Sequence, residues 1–180
     1  MSAVAPPAPV RPDRFGAALP RWRTLAAIGV AGLAWATIHD WSQRHAFMIN
    51  ASESLPNWAF FVEKRVMPRL GQYAFFRVRE TPLIRAHFGD HPQPFGKLVY
   101  GVAGDLVTRE GRMVLVNGSP VAVLKAVSKR GEVLGAGPVG RVPPGCYFLA
   151  TPHKDGFDSR YADIGWVCAR QIVGTGVPVL

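Results

Sequence analysis

An Asn117-Gly118 pair between two apolar runs is the sequence feature that most constrains the fold. Asn-Gly supplies the positive φ angles that a tight primed turn requires, and such turns join neighbouring antiparallel strands. The segment from Arg112 to Leu124 is therefore predicted to be a β-hairpin. Its side chains are mostly small and apolar, so it is expected to be scaffold rather than a site of chemistry.

The composition extends this prediction to most of the chain. There are 19 glycines and 16 prolines among 180 residues, which is typical of one β-rich domain with many turns. Aromatic and β-branched residues predict further strands, and the proline-containing stretch 81–94 is predicted to be a loop. The predicted strands are 58–62, 72–78, 95–100, 142–150, 164–167 and 171–174.

The amino-terminal part has a different character. Residues 1–23 begin with a proline-rich run and are predicted to be a disordered cytoplasmic tail. The uncharged run between Arg23 and Asp40 would span roughly 24 Å as a helix, short of the ~30 Å hydrocarbon core. Snorkelling arginines and two flanking tryptophans narrow that gap, so residues 24–40 are predicted to be a transmembrane anchor. A cleaved signal peptide ending at Ala36 and a buried amphipathic helix are the alternatives.

The charges flanking this run predict an orientation. Four arginines and one aspartate precede it, which favours an amino terminus in the cytoplasm and a domain at 47–180 in the bacterial periplasm. The net charge of +9 is scattered rather than clustered, so no nucleic-acid partner is expected and inner-membrane lipid is favoured instead. In that oxidising compartment Cys146 and Cys168 could form a disulfide, and two unpaired buried thiols are the alternative.

Two residues carry the candidate chemistry. Ser54 lies in a Ser-x-Ser-x-Pro run, a pattern that on its own is most often a polar turn. Lys97 lies among apolar strand residues, where lost hydration disfavours its charged form and lowers its pKa toward neutrality. A neutral lysine can accept a proton from a serine. The loop-like setting of His87 and His91 argues against a metal site, and no cofactor is expected.

Five motifs in order resemble the bacterial type I signal peptidase superfamily, over roughly residues 47–174. They are Ser-x-Ser-x-Pro, Lys-x-Val-x-Gly-x-x-Gly-Asp, Asn-Gly-x-x-Val, Val-Pro-x-Gly-x-Tyr-Phe and Asp-Ser-Arg-Tyr-x-x-Ile-Gly. The box around Ser54, with one residue between the serine and Pro56, is more similar to that of the conjugative-transfer (TraF-type) maturation peptidases than to that of the housekeeping leader peptidase. The resemblance implies a mainly β domain of coiled antiparallel sheets behind one transmembrane helix.

The resemblance also assigns roles to six positions of this sequence. It implies that Ser54 is the nucleophile of an acyl-enzyme mechanism and that Lys97 is its general base. Ser52 matches a serine that donates to the developing oxyanion. The remaining matches are a bracing group beside the lysine: Asp158, Ser159 and Arg160. The family serine that supports the lysine is Gly156 here, so the support comes from Ser159, Thr151 or His153, or is absent.

These expectations define a membrane-anchored serine endopeptidase that processes an exported precursor. The TraF-type resemblance implies a conjugative pilin precursor as substrate, released by hydrolysis or cyclisation, and components of a conjugation or secretion apparatus as partners. The alternative is a catalytically silent assembly module of such an apparatus, which would bind pilin without cutting it. A self-cleaving repressor would need a helix-turn-helix in place of the tail and the uncharged helix.

Overall fold

The computed structural model describes residues 20–50, 52 and 54–179, so most of the predicted cytoplasmic tail lies outside the described residues. Residues 41–180 form one compact unit, and the segment before it is a second. The elements follow in chain order: α1 Arg21–Arg44, β1 His45–Ile49, β2 Ala59–Lys64, β3 Tyr73–Phe76, α2 Pro82–Phe88, β4 Phe95–Gly101, β5 Leu106–Glu110, β6 Met113–Val116, β7 Ser119–Val123, β8 Gly140–Arg141, β9 Cys146–Ala150, β10 Val167–Cys168, a 3-10 turn Ala169–Gln171 and β11 Ile172–Pro178.

Helix α1 covers the uncharged run and extends beyond it at both ends. It begins at Arg21, inside the segment predicted to be a disordered tail, and all of its apolar side chains are exposed. Over the described residues, none of the helices combines the length and the apolar character that crossing a bilayer requires. The helical prediction for residues 24–40 therefore agrees with the structure, whereas their assignment as a transmembrane anchor stays a prediction.

A seven-stranded sheet forms the larger part of the domain, in the order β1-β2-β11-β3-β4-β9-β10. All of its described pairings are antiparallel, as predicted. The strand that precedes the Ser54 segment, β1, lies at one edge, and the strand that carries Lys97, β4, lies between β3 and β9. Strands β1 and β4 are brought into one sheet by pairings between residues far apart in the sequence.

The last strand, β11, joins the two halves of this sheet because it pairs with β2 on one side and β3 on the other. Two glycines permit its close approach. A Cβ at Gly174 would lie 2.1 Å from the Glu63 carbonyl oxygen, and one at Gly176 would lie 2.4 Å from the Phe75 ring. Any larger residue at either position would force the neighbouring strand or ring to move.

A four-stranded sheet in the order β7-β6-β5-β8 forms the rest of the domain. Its β6–β7 turn has φ angles of 48° at Asn117 and 80° at Gly118, which confirms the predicted hairpin. Buried side chains of this sheet meet Phe148 of β9 in one apolar cluster. A second cluster packs around Phe76 and Leu149, and a third around Phe60 and Phe75. The mainly β prediction is confirmed.

The prediction of a loop throughout residues 81–94 was wrong, because α2 occupies Pro82–Phe88. The Thr81 side chain accepts a hydrogen bond from the Ile84 amide, and Pro82 occupies the first turn, where a missing N–H is harmless. Gly89, which suggested a loop, instead ends the helix as its C-cap with a φ of 79°. Ile84 buries the helix against the core.

The two cysteines form a disulfide in the structure, with their Sγ atoms 2.00 Å apart. Cys146 opens β9 and Cys168 closes β10, and the two residues are direct partners in the antiparallel register. Of the two sequence-based alternatives, the disulfide is therefore the one found. It fixes the beginning of β9, whose other end leads to the candidate site.

Candidate active site

The serine turn, of which residues 50, 52 and 54–58 are described, connects β1 to β2, and the Asn50 side chain makes four hydrogen bonds within it. Its Nδ2 group donates hydrogen bonds to the carbonyl oxygens of Leu55 and Asn57, at 3.1 and 3.0 Å. Its Oδ1 atom accepts from both the amide and the hydroxyl of Ser52, each at 3.1 Å. Asn50 thus holds the two ends of the turn together and positions the first serine between them.

The two serine hydroxyls lie 2.8 Å apart, within hydrogen-bond distance. Ser52 is exposed and Ser54 is half-buried, so both are open to an incoming chain. A serine hydroxyl has one proton but can accept as well as donate. If the Ser52 proton goes to Asn50, the Ser54 proton points to Ser52. If Ser54 gives its proton elsewhere, Ser52 becomes the donor to the Ser54 oxygen.

Lys97 lies in the middle of the larger sheet, opposite Ala74 of β3, with only 5% of its surface exposed. This burial lowers the pKa of its amine from 10.5 to about 8, because removal from water disfavours the ammonium form. The negative charge of Asp158 opposes that shift, and the positive charge of Arg160 adds to it. The lowered pKa agrees with the sequence-based expectation for this residue.

Asp158 and Arg160 form a fully buried ion pair. Arg160 donates from Nε to Oδ1 and from Nη2 to Oδ2 of Asp158, both at 2.8 Å, in the bidentate geometry that guanidinium and carboxylate groups prefer. The same pair holds the backbone of Thr151 from both sides. Its amide donates to Asp158 Oδ2 at 3.0 Å, and its carbonyl accepts from Arg160 Nη2 at 2.6 Å. We call Lys97, Thr151, Asp158 and Arg160 the lysine wall.

Ser159 ties this ion pair to β9. Its hydroxyl accepts a hydrogen bond from the Leu149 amide at 3.0 Å, and its own amide donates to the Leu149 carbonyl at 2.9 Å. The residue is fully buried. Its contacts are therefore those of a brace that holds the Asp158–Arg160 segment against the strand.

The serine turn meets the lysine strand through Leu55 and Gly96, the sequence neighbours of the two candidate catalytic residues. Leu55 Cδ1 would lie 3.3 Å from a Cβ placed on Gly96, and the Phe75 ring would lie 2.9 Å from it. The absence of a side chain at Gly96 therefore lets the turn approach β4. Among the described residues, no hydrogen bond joins Ser54 to Lys97, and the catalytic role of each stays a prediction.

Comparison with protein families identifies the family of this chain. The family model for signal peptidase, peptidase S26, matches residues 21–180. The chain belongs to this family. Membership confirms the type I signal peptidase resemblance at the superfamily level, and it implies a serine protease that acts on exported proteins. The comparison with curated proteins gave no match.

Two residues of the peptidase S26 domain have structural roles that the sequence does not indicate. The sequence alone assigns Asn50 no role, although an Asn side chain commonly hydrogen-bonds the backbone two residues ahead of it, and here it accepts from the Ser52 amide. Thr151 was one of three alternatives for support of Lys97. Its position becomes clear only from the pairing of β4 with β9.

Proposed function

We propose that the protein is a serine endopeptidase in which Ser54 and Lys97 form the catalytic dyad. The observation that carries this proposal is the buried Lys97, whose pKa of about 8 leaves an appreciable neutral fraction near physiological pH. A lysine at its ordinary pKa would be almost wholly protonated there and could not act as a base. The Leu55–Gly96 approach supports the pairing of this lysine with the neighbouring serine turn.

The chemistry follows from the roles assigned to these groups. Lys97 Nζ removes the hydroxyl proton of Ser54 as Oγ attacks the scissile carbonyl carbon. The Ser52 hydroxyl and the Ser54 amide donate to the carbonyl oxygen as it becomes an oxyanion. Lys97 then gives its proton to the departing amine nitrogen, the C–N bond breaks, and an ester to Ser54 remains. Water resolves that ester to a carboxylate, or an amine resolves it to a new amide.

This mechanism predicts a pH dependence with a definite sign. Only neutral Lys97 can accept the proton, and its fraction rises from about one tenth at pH 7 to one half at a pKa of about 8. The first-order rate constant for acylation should therefore rise about fivefold between pH 7 and pH 8, then level off. A rate that is flat over this range, measured by single-turnover cleavage, would contradict Lys97 as the base.

The proposed substrate is the precursor of an exported protein, and the TraF-type resemblance favours a conjugative pilin precursor. An extended segment of that precursor would lie along an exposed strand edge, where main-chain hydrogen bonds hold it. We also propose that the domain works in the periplasm at the inner membrane, with residues 24–40 as the anchor. The exposed Trp22 and Trp41 near the two ends of that run support this placement. Fractionation of cell membranes tests it.

The deciding experiment is cleavage of the cognate pilin precursor in membranes by the native chain, Ser54→Ala and Lys97→Ala. Both substitutions should abolish cleavage while the protein remains folded. Lys154→Ala, which changes an exposed lysine, is the matched control and should cut normally. The mass of the product distinguishes a linear chain from a cyclic one.

If the native chain cuts but either substitution leaves the rate unchanged, the dyad is wrong. If the native chain binds the precursor and never cuts it, the silent assembly module becomes the better account. In that case Ser54→Ala should leave assembly of the apparatus intact.

A further inference from the structure

We propose that Thr151 is a positioning residue whose hydroxyl accepts a hydrogen bond from Lys97 and aims the amine at Ser54. This inference rests on the proposed function of the same site. It assigns a role to a side chain that lies outside the motif residues and is distant from Lys97 in the sequence.

The strand register places the two residues opposite each other. β4 pairs with β9 so that Val99 faces Leu149 and Leu98 faces Ala150. The next step of this antiparallel register brings Lys97 opposite Thr151, just beyond the end of β9. Directly opposed residues point to the same face of a sheet, with Cβ atoms about 5 Å apart. A lysine chain is long and flexible enough to bring its amine to a hydroxyl at that distance.

The Thr151 hydroxyl needs a partner. The residue is fully buried, and its Oγ1 is the one buried side-chain nitrogen or oxygen atom without a hydrogen bond in the part of the chain that the structure describes. A buried polar atom left unpaired is unfavourable, because it has lost its hydrogen bonds to water without gaining another. Arg160 Nη2 already donates to the Thr151 carbonyl and to Asp158. Lys97, in contrast, is a buried donor on the neighbouring strand, and its amine makes no hydrogen bond among the described residues.

The backbone of Thr151 is held unusually firmly. Asp158 accepts from its amide and Arg160 donates to its carbonyl, so the ion pair fixes the residue on both sides of its Cα. A threonine also has few χ1 choices because its Cβ is branched. The hydroxyl is therefore held in one place, which is what a group that orients a flexible lysine requires.

Gly156 makes the room that this hydroxyl occupies. A Cβ at position 156 would lie 2.3 Å from Thr151 Oγ1, which is closer than real contacts allow. It would also lie 2.9 Å from both Arg160 Nη2 and Asp158 Oδ2. Position 156 is therefore compatible with glycine, and the space beside the ion pair is filled by the threonine hydroxyl instead.

The two other candidates for this support are engaged elsewhere. The Ser159 hydroxyl accepts from the Leu149 amide, and His153 Nδ1 accepts from the Asp155 amide at 3.2 Å. His153 is only half-buried, in the loop that leads away from β9. Thr151 is thus the candidate whose hydroxyl is both fully buried and unpaired.

The chemistry of this contact predicts a signature that a purely structural role would not give. The charged groups that act on Lys97 are Asp158 and Arg160. A hydroxyl that accepts from the amine stabilises the ammonium form more than the neutral form, because hydrogen bonds from charged donors are stronger. Its removal should lower the pKa of Lys97 and also release the amine from its aligned position.

The test compares Thr151→Val, which keeps the shape, with Thr151→Ser, which keeps the hydroxyl. In the full chain carrying ¹³C-labelled lysine, we expect Thr151→Val to lower the pKa of Lys97 by about one unit. The Lys97 signal is identified by its loss in Lys97→Met. The maximal acylation rate should fall between about tenfold and a hundredfold, with its pH profile shifted to lower pH. Thr151→Ser should restore both quantities.

Thr108→Val, a half-buried threonine on β5, controls for the loss of a hydroxyl elsewhere. If Thr151→Val lowers the rate without moving the Lys97 pKa, the residue is merely structural and the proposal is overturned. It is equally overturned if neither quantity changes. Thr151→Ala provides the same comparison should the valine variant not fold. The titration needs no substrate, so failure of the proposed peptidase function is separable from failure of this contact.

Discussion

The hydroxyls of the serine turn lie near the surface, and the turn is held by hydrogen bonds of a single side chain, Asn50. The lysine wall, in contrast, is buried and contains a bidentate ion pair. Ser52 and Ser54 are reachable by solvent, while Asp158 and Thr151 are fully enclosed. A nucleophile has to meet an incoming chain, and a lysine base has to lose water to become neutral. The two halves of the candidate site therefore have opposite requirements for burial.

This contrast predicts that changes in the wall alter stability as well as activity, whereas changes in the turn act mainly on activity. Arg160→Met should have the largest effect, because it leaves Asp158 buried without its partner. Loss of one member of such a pair lowers the free energy of unfolding by about 3–5 kcal/mol. Urea-induced unfolding of the native chain and of Arg160→Met measures this difference in the free energy of unfolding. Arg109→Met, at an exposed arginine of β5, is the control and should change stability by less than about 0.5 kcal/mol.

Lys97→Met should raise stability while it abolishes activity. The folded-state pKa of about 8 lies below the ordinary 10.5, so unfolding takes up a proton between these values. Native stability should thus increase as pH rises from about 8 to about 10.5. Below pH 8 the buried charge disfavours folding by up to about 3 kcal/mol, and methionine removes that penalty.

Unfolding measured at pH 7 and pH 10.5 checks this prediction. The advantage of the methionine variant should shrink at the higher pH, whereas Lys154→Met should show no such trend. A methionine variant that is less stable than the native chain at pH 7 would mean that the wall depends on the ammonium charge.

Gly156→Ala should reduce stability by about 1–3 kcal/mol, because the new methyl group overlaps Thr151 Oγ1. Thr151→Ala removes that oxygen, so the double variant should be less destabilised than the sum of the two single changes. A double-mutant cycle on unfolding free energies measures the difference. Strict additivity would show that positions 151 and 156 do not compete for the same space.

Asn50→Ala should have the smallest effect on stability, about 1 kcal/mol, because its hydrogen bonds are partly exposed. Its effect on cleavage should approach the loss of about 10²–10³ that follows removal of an oxyanion donor, since Ser52 loses its support. Asn50→Asp keeps the oxygen acceptor for Ser52, so its cleavage rate should lie between that of the native chain and that of Asn50→Ala. Asn57→Ala, which retains the carbonyl that Asn50 bonds, should have a weaker effect.

The success of the sequence predictions depends on how local the underlying physics is. The Asn117-Gly118 hairpin follows from the φ preferences of two adjacent residues, and the lowered pKa of Lys97 follows from its apolar neighbours. Helix α2 was missed because glycine and proline are common both in loops and at the ends of helices. Pro82 and Gly89 mark the two ends of this helix, but the same residue types also indicate a loop. The same residue type that breaks a helix also caps one.

The parts of the site that could not be predicted depend on strand pairing. The sequence does not show that Leu98 pairs with Ala150, the residue before Thr151. Nor does it show that Asp158 and Arg160 hold the Thr151 backbone on both sides. These contacts arise from the register between β4 and β9 and from the return of the chain after β9. The resemblance to a family identified the ion pair, but only the three-dimensional arrangement shows what the pair holds.

The position of β11 has a consequence for when the larger sheet can first be completed. The β1–β2 pair that flanks Ser54 and the β3–β4 pair that carries Lys97 are joined in the sheet by β11, which is the last of the described strands in chain order. Until β11 is made, the β1–β2 and β3–β4 pairs lack the strand that hydrogen-bonds to both, and they meet through side-chain packing such as that of Phe60 against Phe75. During synthesis, the two pairs can therefore be hydrogen-bonded into one continuous sheet only after residues 172–178 have been made.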